Sequence, residues 1–97
     1  MGKEEILQIL QNHLPYMKEN FGLRSIALFG SYAKENANAN SDIDLLVDLE
    51  APLSKNYFGL LVFLEKILTH PIGLLRKGSH INAKFLSSIL DDLIYAA

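Results

Sequence analysis

Four residues in this sequence have the types and spacing of a phosphate-binding and metal-binding site. Gly30 and Ser31 form a Gly-Ser pair, and after ten intervening residues Asp42 and Asp44 form an Asp-x-Asp motif. A Gly-Ser turn presents backbone N–H groups and a hydroxyl that can receive phosphate oxygens. Mg²⁺ is commonly held by one or two carboxylates together with substrate phosphates. The two motifs together predict a site for a nucleoside triphosphate and Mg²⁺ or Mn²⁺.

The residues around the two aspartates alternate between polar and apolar, as expected of a β-strand. In a strand, side chains two residues apart share one face, and their Cα atoms are about 6.6–6.8 Å apart, so Asp42 and Asp44 could converge on one metal ion. Each motif alone also fits a simpler structure: a strand-ending turn with a helix N-cap for Gly30-Ser31, and the solvated face of an edge strand for the aspartates. Because Asp is depleted in strands, the combination favours a functional site.

The segment from Phe29 to Val47, FGSYAKENANANSDIDLLV, resembles the minimal nucleotidyltransferases of the DNA polymerase β-like superfamily. Their signature is a hydrophobic residue, Gly-Ser, about ten residues, then Asp-hydrophobic-Asp-hydrophobic. The stretches FGLRSIALFGSYAKE and PIGLLRKGSHINAKFLSSILDDLIYA are similar to the family's central tract and C-terminal end. The resemblance implies an α/β (α+β) fold like the polymerase β palm, a small mixed sheet with helices packed on one face.

The same resemblance implies an activity and a partner. Short proteins of this group are commonly the antitoxins of HEPN-domain ribonuclease toxins, and they resemble enzymes that transfer AMP from ATP to the toxin. By this resemblance Gly30, Ser31 and Lys34 bind the nucleotide, while Asp42 and Asp44 are catalytic and hold the metal. The expected reaction is Mg²⁺-dependent transfer of AMP to a hydroxyl, such as that of a tyrosine, on a HEPN-type partner.

The sequence departs from the family pattern at three positions. Gly73 stands where the family typically has a third carboxylate, which is thought to act as the general base toward the attacking hydroxyl. Lys34 replaces a usual Arg and keeps the charge but not the bidentate fork, and Glu35 replaces a usual Gly. The alternative interpretation is therefore an antitoxin that neutralises its partner by complex formation, with a vestigial ATP site. If position 73 faces the cleft, as Asp42 and Asp44 do, Gly73→Asp is expected to displace no packed side chain and to raise AMP transfer.

Hydrophobic periodicity and Gly and Pro positions predict seven elements in the order helix, strand, short helix, strand, helix, strand, helix. The predicted helices are about Lys3–Asn20 with a break near His13 caused by Pro15, Ser31–Glu35, Ser54–Leu68 and about Asn82–Tyr95; the predicted strands are Arg24–Phe29, Ser41–Asp48 and Ile72–Leu75. The first two strands are expected to pair, because the turn and the aspartates must meet. Asp91 and Asp92 are expected on the solvated face of the last helix.

Composition narrows the class of protein. The 97 residues, 49% of them hydrophobic, are expected to form one domain, residues 1–97. A net charge of −2 argues against a strong grip on nucleic acid. The chain contains no cysteine, no apolar run near twenty residues and no signal-peptide pattern, so we expect a cytoplasmic protein without a membrane segment.

Exposed apolar surface is expected to form an interface with a partner protein or a second copy of the chain. The residues expected to contribute are Tyr57, Phe63 and Tyr95. The third and last helices are expected to bury their apolar faces, including Phe58 on the former and Phe85 and Leu90 on the latter.

Overall fold

A computed structural model describes residues 1–50, 54–78 and 80–96. The helices are α1 (Lys3–Asn12), α2 (Leu14–Phe21), α3 (Gly30–Ala33), α4 (Ser54–Leu68) and α5 (Ala83–Ile89). The strands are β1 (Leu23–Phe29), β2 (Ile43–Leu49), β3 (Ile72–Arg76) and β4 (Ile94–Tyr95). In these ranges no helix has the length and apolar character needed to cross a membrane.

The break between the first two helices is confirmed. Pro15 lies in the first turn of α2, where its missing N–H group costs nothing. Gly22 ends α2 in the left-handed conformation, with φ of 66°, and its N–H donates to the Met17 carbonyl. The chain then turns directly into β1.

The strands form one mixed sheet in the order β3-β2-β1-β4. β1 pairs with β2 in antiparallel orientation, as predicted, and β3 lies parallel to β2. The fold class is confirmed by this sheet and its helices. The register places Asp44 of β2 between Phe29 of β1 and Gly73 of β3.

Helices α1, α2 and α4 pack on one face of the sheet, around a core formed by alternate residues of β1 and β2. On α4 the buried stripe is Leu60, Leu64 and Leu68, all fully buried, and each contributes about 1.5–3 kcal/mol of apolar burial. Phe58 lies two residues from Leu60 and therefore on another side of the helix, where it is 62% exposed. Its predicted core position is wrong.

The C-terminal segment differs most from its prediction. Helix α5 ends at Ile89, a 3₁₀ turn spans Leu90–Asp92, and Ile94–Tyr95 form β4 instead of continuing the helix. β4 pairs with the free edge of β1, and Ala96 N–H donates to the Ile26 carbonyl. This pairing satisfies backbone groups that an edge strand would leave open. It also leaves Phe85 and Leu90 exposed, contrary to the prediction.

Helix α5 does not join the other helices. Ile89 packs with Phe29 and Leu46 in a second cluster, and these two strand residues alternate with the core residues Leu28 and Leu45. The helix therefore covers part of the opposite face of the sheet. The expectation of helices on one face holds for α1, α2 and α4 and not for α5.

Candidate active site

The phosphate-type turn lies where β1 changes into α3. Phe29 is extended, and Gly30 opens the helix with φ of 74°, a conformation that an L side chain rarely adopts. The first N–H groups of a helix lack intrahelical partners, and in α3 these groups begin at Gly30. Ser31 is partly exposed beside them. The structure thus confirms the tight turn that the Gly-Ser pair predicts.

The two aspartates lie beside this turn, on either side of a strand boundary. Asp44 is in β2 and half-buried, whereas Asp42 is exposed and precedes β2 by one residue. The prediction that Asp42 belongs to the strand is therefore wrong. At this level β1 has already turned into α3, so residues 41 and 42 have no β1 partner to extend the ladder.

The Asp44 carboxylate is enclosed by two glycines, Gly30 at the start of α3 and Gly73 in β3. A Cβ built on Gly30 would overlap Asp44 Oδ2, and a Cβ built on Gly73 would lie 2.5 Å from Asp44 Oδ1. Real Cβ atoms essentially never approach an atom under 3.0 Å. Two independent constraints therefore require a glycine at position 30: the left-handed backbone angle and the absence of room for a Cβ beside Asp44. This contact also joins the turn to the Asp-x-Asp motif, as the sequence predicts.

The surroundings of Asp44 disfavour its charged form. Burial raises the pKa of the Asp44 carboxyl above its ordinary value of 3.8, and the negative charge of Asp42 raises it further. The second effect requires the two carboxyl groups to lie near each other. Two neighbouring carboxylates that repel one another are the arrangement that a cation relieves.

The donor set suits a hard divalent cation. Mg²⁺ prefers oxygen ligands and usually keeps some water while taking one or two carboxylates and substrate phosphates. Asp42 and Asp44 supply the carboxylates, and the Gly30-Ser31 turn beside them would receive the phosphates. No group of three or more His, Cys, Asp and Glu side chains with metal-binding geometry occurs in the described ranges. The residues therefore fit a metal shared with a bound nucleotide.

Gly73 lies where a third carboxylate would meet the site, in register with Asp44. The expectation that Gly73→Asp would displace no packed side chain is wrong, because its Cβ would meet Asp44 Oδ1. The carboxylate of Asp44 would have to rotate away. An aspartate at this position is therefore accommodated only at the expense of the present Asp44 conformation.

Lys34 and Glu35 complete the end of α3. The Lys34 N–H donates to the Gly30 carbonyl (3.1 Å), which keeps Lys34 on the turn. Its ammonium lies 3.5 Å from Asp92 Oδ2, so Asp92 is at the site and not on the solvated face of a long helix. No sequence signal indicated this, because the contact depends on the position of β4. Glu35 has φ of 61°, which explains why a glycine suits this position in the resembling family.

A cavity of about 410 Å³ lies on another side of α3. Its lining includes Tyr32, His70 and the first three residues, but none of Gly30, Asp42 and Asp44. This cavity is therefore separate from the candidate site.

The residues expected at an interface differ in exposure. Tyr95 is 45% exposed, whereas Tyr57 is half-buried and donates its hydroxyl proton to the Leu74 carbonyl. Phe63 is half-buried and stacks on Tyr16. On α4 the exposed apolar side chains are Phe58 and Val62.

Comparisons with known proteins show the family of this chain. The family model of the nucleotidyltransferase domain matches residues 10–96. A protein of Methanocaldococcus jannaschii is 40% identical over 94 residues, which are 94% of each chain. Protein adenylyltransferase MntA of Thermococcus cleftensis is 36% identical over 93 residues, covering 95% of this chain and 93% of that protein.

Solved structures share the fold. A chain of a crystal structure of a toxin–antitoxin with AMP-PNP matches with a TM-score of 0.66 and 23% identity, over 100% of this chain and 73% of that one. A chain of the tri-AMPylated Shewanella oneidensis HEPN toxin in complex with MNT antitoxin matches with a TM-score of 0.64 and 19% identity, over 94% and 71% of the two chains. With the family model covering most of its length, this protein belongs to the nucleotidyltransferase domain family.

Proposed function

We propose that this protein is a Mg²⁺-dependent nucleotidyltransferase that transfers AMP from ATP to a hydroxyl of a HEPN-type toxin and thereby acts as its antitoxin. The observation that carries the proposal is the Asp44 carboxylate fitted between Gly30 and Gly73, next to the first turn of α3. The relative named protein adenylyltransferase MntA and the toxin–antitoxin structures support the reaction and the partner class.

In this proposal each residue has one task. Gly30 and Ser31 receive the β- and γ-phosphate oxygens through backbone N–H groups and the hydroxyl, and Lys34 adds a positive charge at the end of the same turn. Asp42 and Asp44 hold the metal. When bound, Mg²⁺ neutralises phosphate charge and orients the leaving group. The carboxylates and the turn thus fix the triphosphate so that its α-phosphorus faces the acceptor.

The transfer exchanges one phosphorus–oxygen bond for another. The acceptor oxygen forms a bond with the α-phosphorus, the bond from that phosphorus to the bridging oxygen breaks, and pyrophosphate leaves. The hydroxyl proton must pass to a base, and Gly73 offers no side chain for this task. A positioned base contributes about 10²–10⁴-fold, so transfer without one is slow unless the acceptor protein contributes a base.

Gly73 also supports a second function, that of a catalytically impaired antitoxin. In this alternative the protein neutralises its partner by covering it, and the ATP site is vestigial. Both functions require a protein partner. The exposed apolar side chains on α4 and the C-terminal segment support such an interface, with a toxin or with a second copy of the chain. The proposed location is the cytoplasm, where ATP is available.

Intact mass of the partner separates the two functions. A HEPN-type protein whose gene lies next to that of this chain is the partner to test: the two proteins are co-expressed, and the partner is weighed after incubation with ATP and Mg²⁺. The first proposal predicts a mass increase of one or more AMP groups, which is absent for Asp42→Asn/Asp44→Asn. A stable complex in which wild type adds no mass supports the covering antitoxin. Absence of both complex and mass increase with this partner overturns the proposal.

A further inference from the structure

The ion pair between Lys34 and Asp92 joins the phosphate turn to the C-terminal segment. Lys34 is the C-cap of α3, and Asp92 ends the 3₁₀ turn that leads into β4. Their charged atoms are 3.5 Å apart, with side chains 50% and 28% exposed. The two residues are 58 positions apart in the sequence, so only the pairing of β4 with β1 brings them together.

The sheet register fixes the side on which Asp92 lies. β4 pairs with β1 through Ala27–Tyr95 and Leu28–Ile94, and continuing this register by two residues leads from Gly30 to Asp92. β2, with Asp44, lies along the other edge of β1. The turn is therefore flanked by the metal-binding carboxylates on its β2 side and by Asp92 on its β4 side.

This placement decides which carboxylate holds the Lys34 ammonium. An ammonium paired with Asp42 or Asp44 instead would compete with a metal ion for those carboxylates. Among the described residues, the ion pair of Lys34 is formed with Asp92 and not with Asp42 or Asp44. The ammonium is thus kept away from the aspartate pair.

We propose that Asp92 is a positioning residue, which holds the Lys34 ammonium on the β4 side of the phosphate turn and away from Asp42 and Asp44. In this arrangement the metal and the ammonium contact a bound triphosphate from opposite sides. The inference rests on the proposed function, because it assigns Lys34 to the nucleotide. Lysine has a long, flexible side chain, and pairing with Asp92 restricts where its charge can lie.

Direct electrostatics and positioning make opposite predictions for Asp92. If Asp92 acted on the triphosphate only through its own negative charge, Asp92→Asn would tighten binding. Positioning predicts that Asp92→Asn weakens binding of Mg²⁺-ATP by about two- to fivefold, the range expected for a partly exposed ion pair. Asp92→Glu restores binding if the longer side chain still reaches the ammonium.

The experiment is a double-mutant cycle measured by calorimetry with Mg²⁺-ATP. Asp92→Asn is compared in the wild-type and Lys34→Met backgrounds, and Asp91→Asn, an exposed neighbour on the same 3₁₀ turn, is the matched control. We expect Asp92→Asn to weaken binding in wild type only and Asp91→Asn to have no effect. The same variants are unfolded in urea without nucleotide, which reports any damage to β4 separately from binding.

The outcomes separate the two proposals. If wild type binds no Mg²⁺-ATP, the proposed function fails and this inference fails with it. If wild type binds but Asp92→Asn binds equally or more tightly, or weakens binding as much in the Lys34→Met background, only the positioning role of Asp92 is overturned.

Discussion

Substituting alanine for three glycines would separate the two constraints on Gly30. Gly22 has a left-handed φ of 66° but room for a Cβ, whose nearest neighbour would be 3.6 Å away. Gly73 has no left-handed φ but would place its Cβ 2.5 Å from Asp44 Oδ1. Gly30 has both a φ of 74° and an overlap with Asp44. The three variants therefore test conformation alone, overlap alone and the combination.

The expected losses of folding free energy follow from these constraints. A left-handed alanine costs about 1–2 kcal/mol, and forcing Asp44 from its rotamer costs about 0.5–1.5 kcal/mol. Gly30→Ala should thus lose about 1.5–3.5 kcal/mol, Gly22→Ala about 1–2 kcal/mol and Gly73→Ala about 0.5–1.5 kcal/mol. The lower unfolded-state entropy of alanine reduces each measured loss by about 0.4–1 kcal/mol and leaves the differences among the three variants unchanged.

Urea unfolding measures these losses, and calorimetry with Mg²⁺-ATP measures their effect on the site. Binding should weaken for Gly30→Ala and Gly73→Ala, which move Asp44, and stay at the wild-type level for Gly22→Ala. The reasoning is refuted if Gly30→Ala is no less stable than Gly22→Ala, or if Gly73→Ala binds Mg²⁺-ATP as wild type does.

Three further predictions concern charge and backbone at the site. Glu35→Gly should raise the free energy of unfolding in urea by roughly 1 kcal/mol, because glycine adopts a φ of 61° without strain. The substitution removes only an exposed ion pair of 3.9 Å with Lys3. Equal or lower stability would contradict this prediction. Asp44→Asn should raise the melting temperature of the nucleotide-free protein at neutral pH while weakening Mg²⁺-ATP binding. A raised folded-state pKa means that ionised Asp44 destabilises the fold above that pKa, and the gain should vanish below pH 3.8, where Asp44 is protonated in both states. Mg²⁺-ATP binding should weaken on acidification, with a midpoint at a pH above 3.8. Asp42→Asn should lower the pH of that midpoint, because it removes the negative charge that raises the pKa of Asp44. An unchanged midpoint would count against coupling of the two carboxyl groups.

The turn at Gly30 and the strand that carries Asp44 could be predicted from neighbouring residues in the sequence. Gly30 predicts a turn, because glycine tolerates the left-handed backbone angle that such a turn needs. The alternation of polar and apolar residues around Asp44 predicts a strand with one face toward the core. Both signals lie within a few residues of the feature they describe. The pairing of β1 with β2 then follows from the need to bring turn and carboxylate together.

The features of the fold and site that the sequence did not predict depend on contacts between distant parts of the chain. The pattern from Asn82 to Tyr95 fits a helix, yet Ile94 and Tyr95 leave it to pair with the open edge of β1. A helical pattern cannot indicate where such an edge is available. Asp92 reaches Lys34 only through this pairing, so its role was not readable from the sequence. The crowding of Gly73 against Asp44 likewise requires the parallel register of β2 and β3.

The central claim is that Asp42, Asp44 and the Gly30-Ser31 turn form one metal-dependent ATP site. Calorimetry of ATP with wild type and Asp42→Asn/Asp44→Asn, each in Mg²⁺ and in EDTA, tests it most directly, with a melting curve to verify that the variant is folded. Wild type should bind ATP in Mg²⁺ and not in EDTA, because without metal the triphosphate faces two uncompensated carboxylates. The folded variant should lose the metal dependence and most of the affinity for ATP. Equal binding by wild type with and without metal, or wild-type Mg²⁺-ATP binding by the variant, would contradict it.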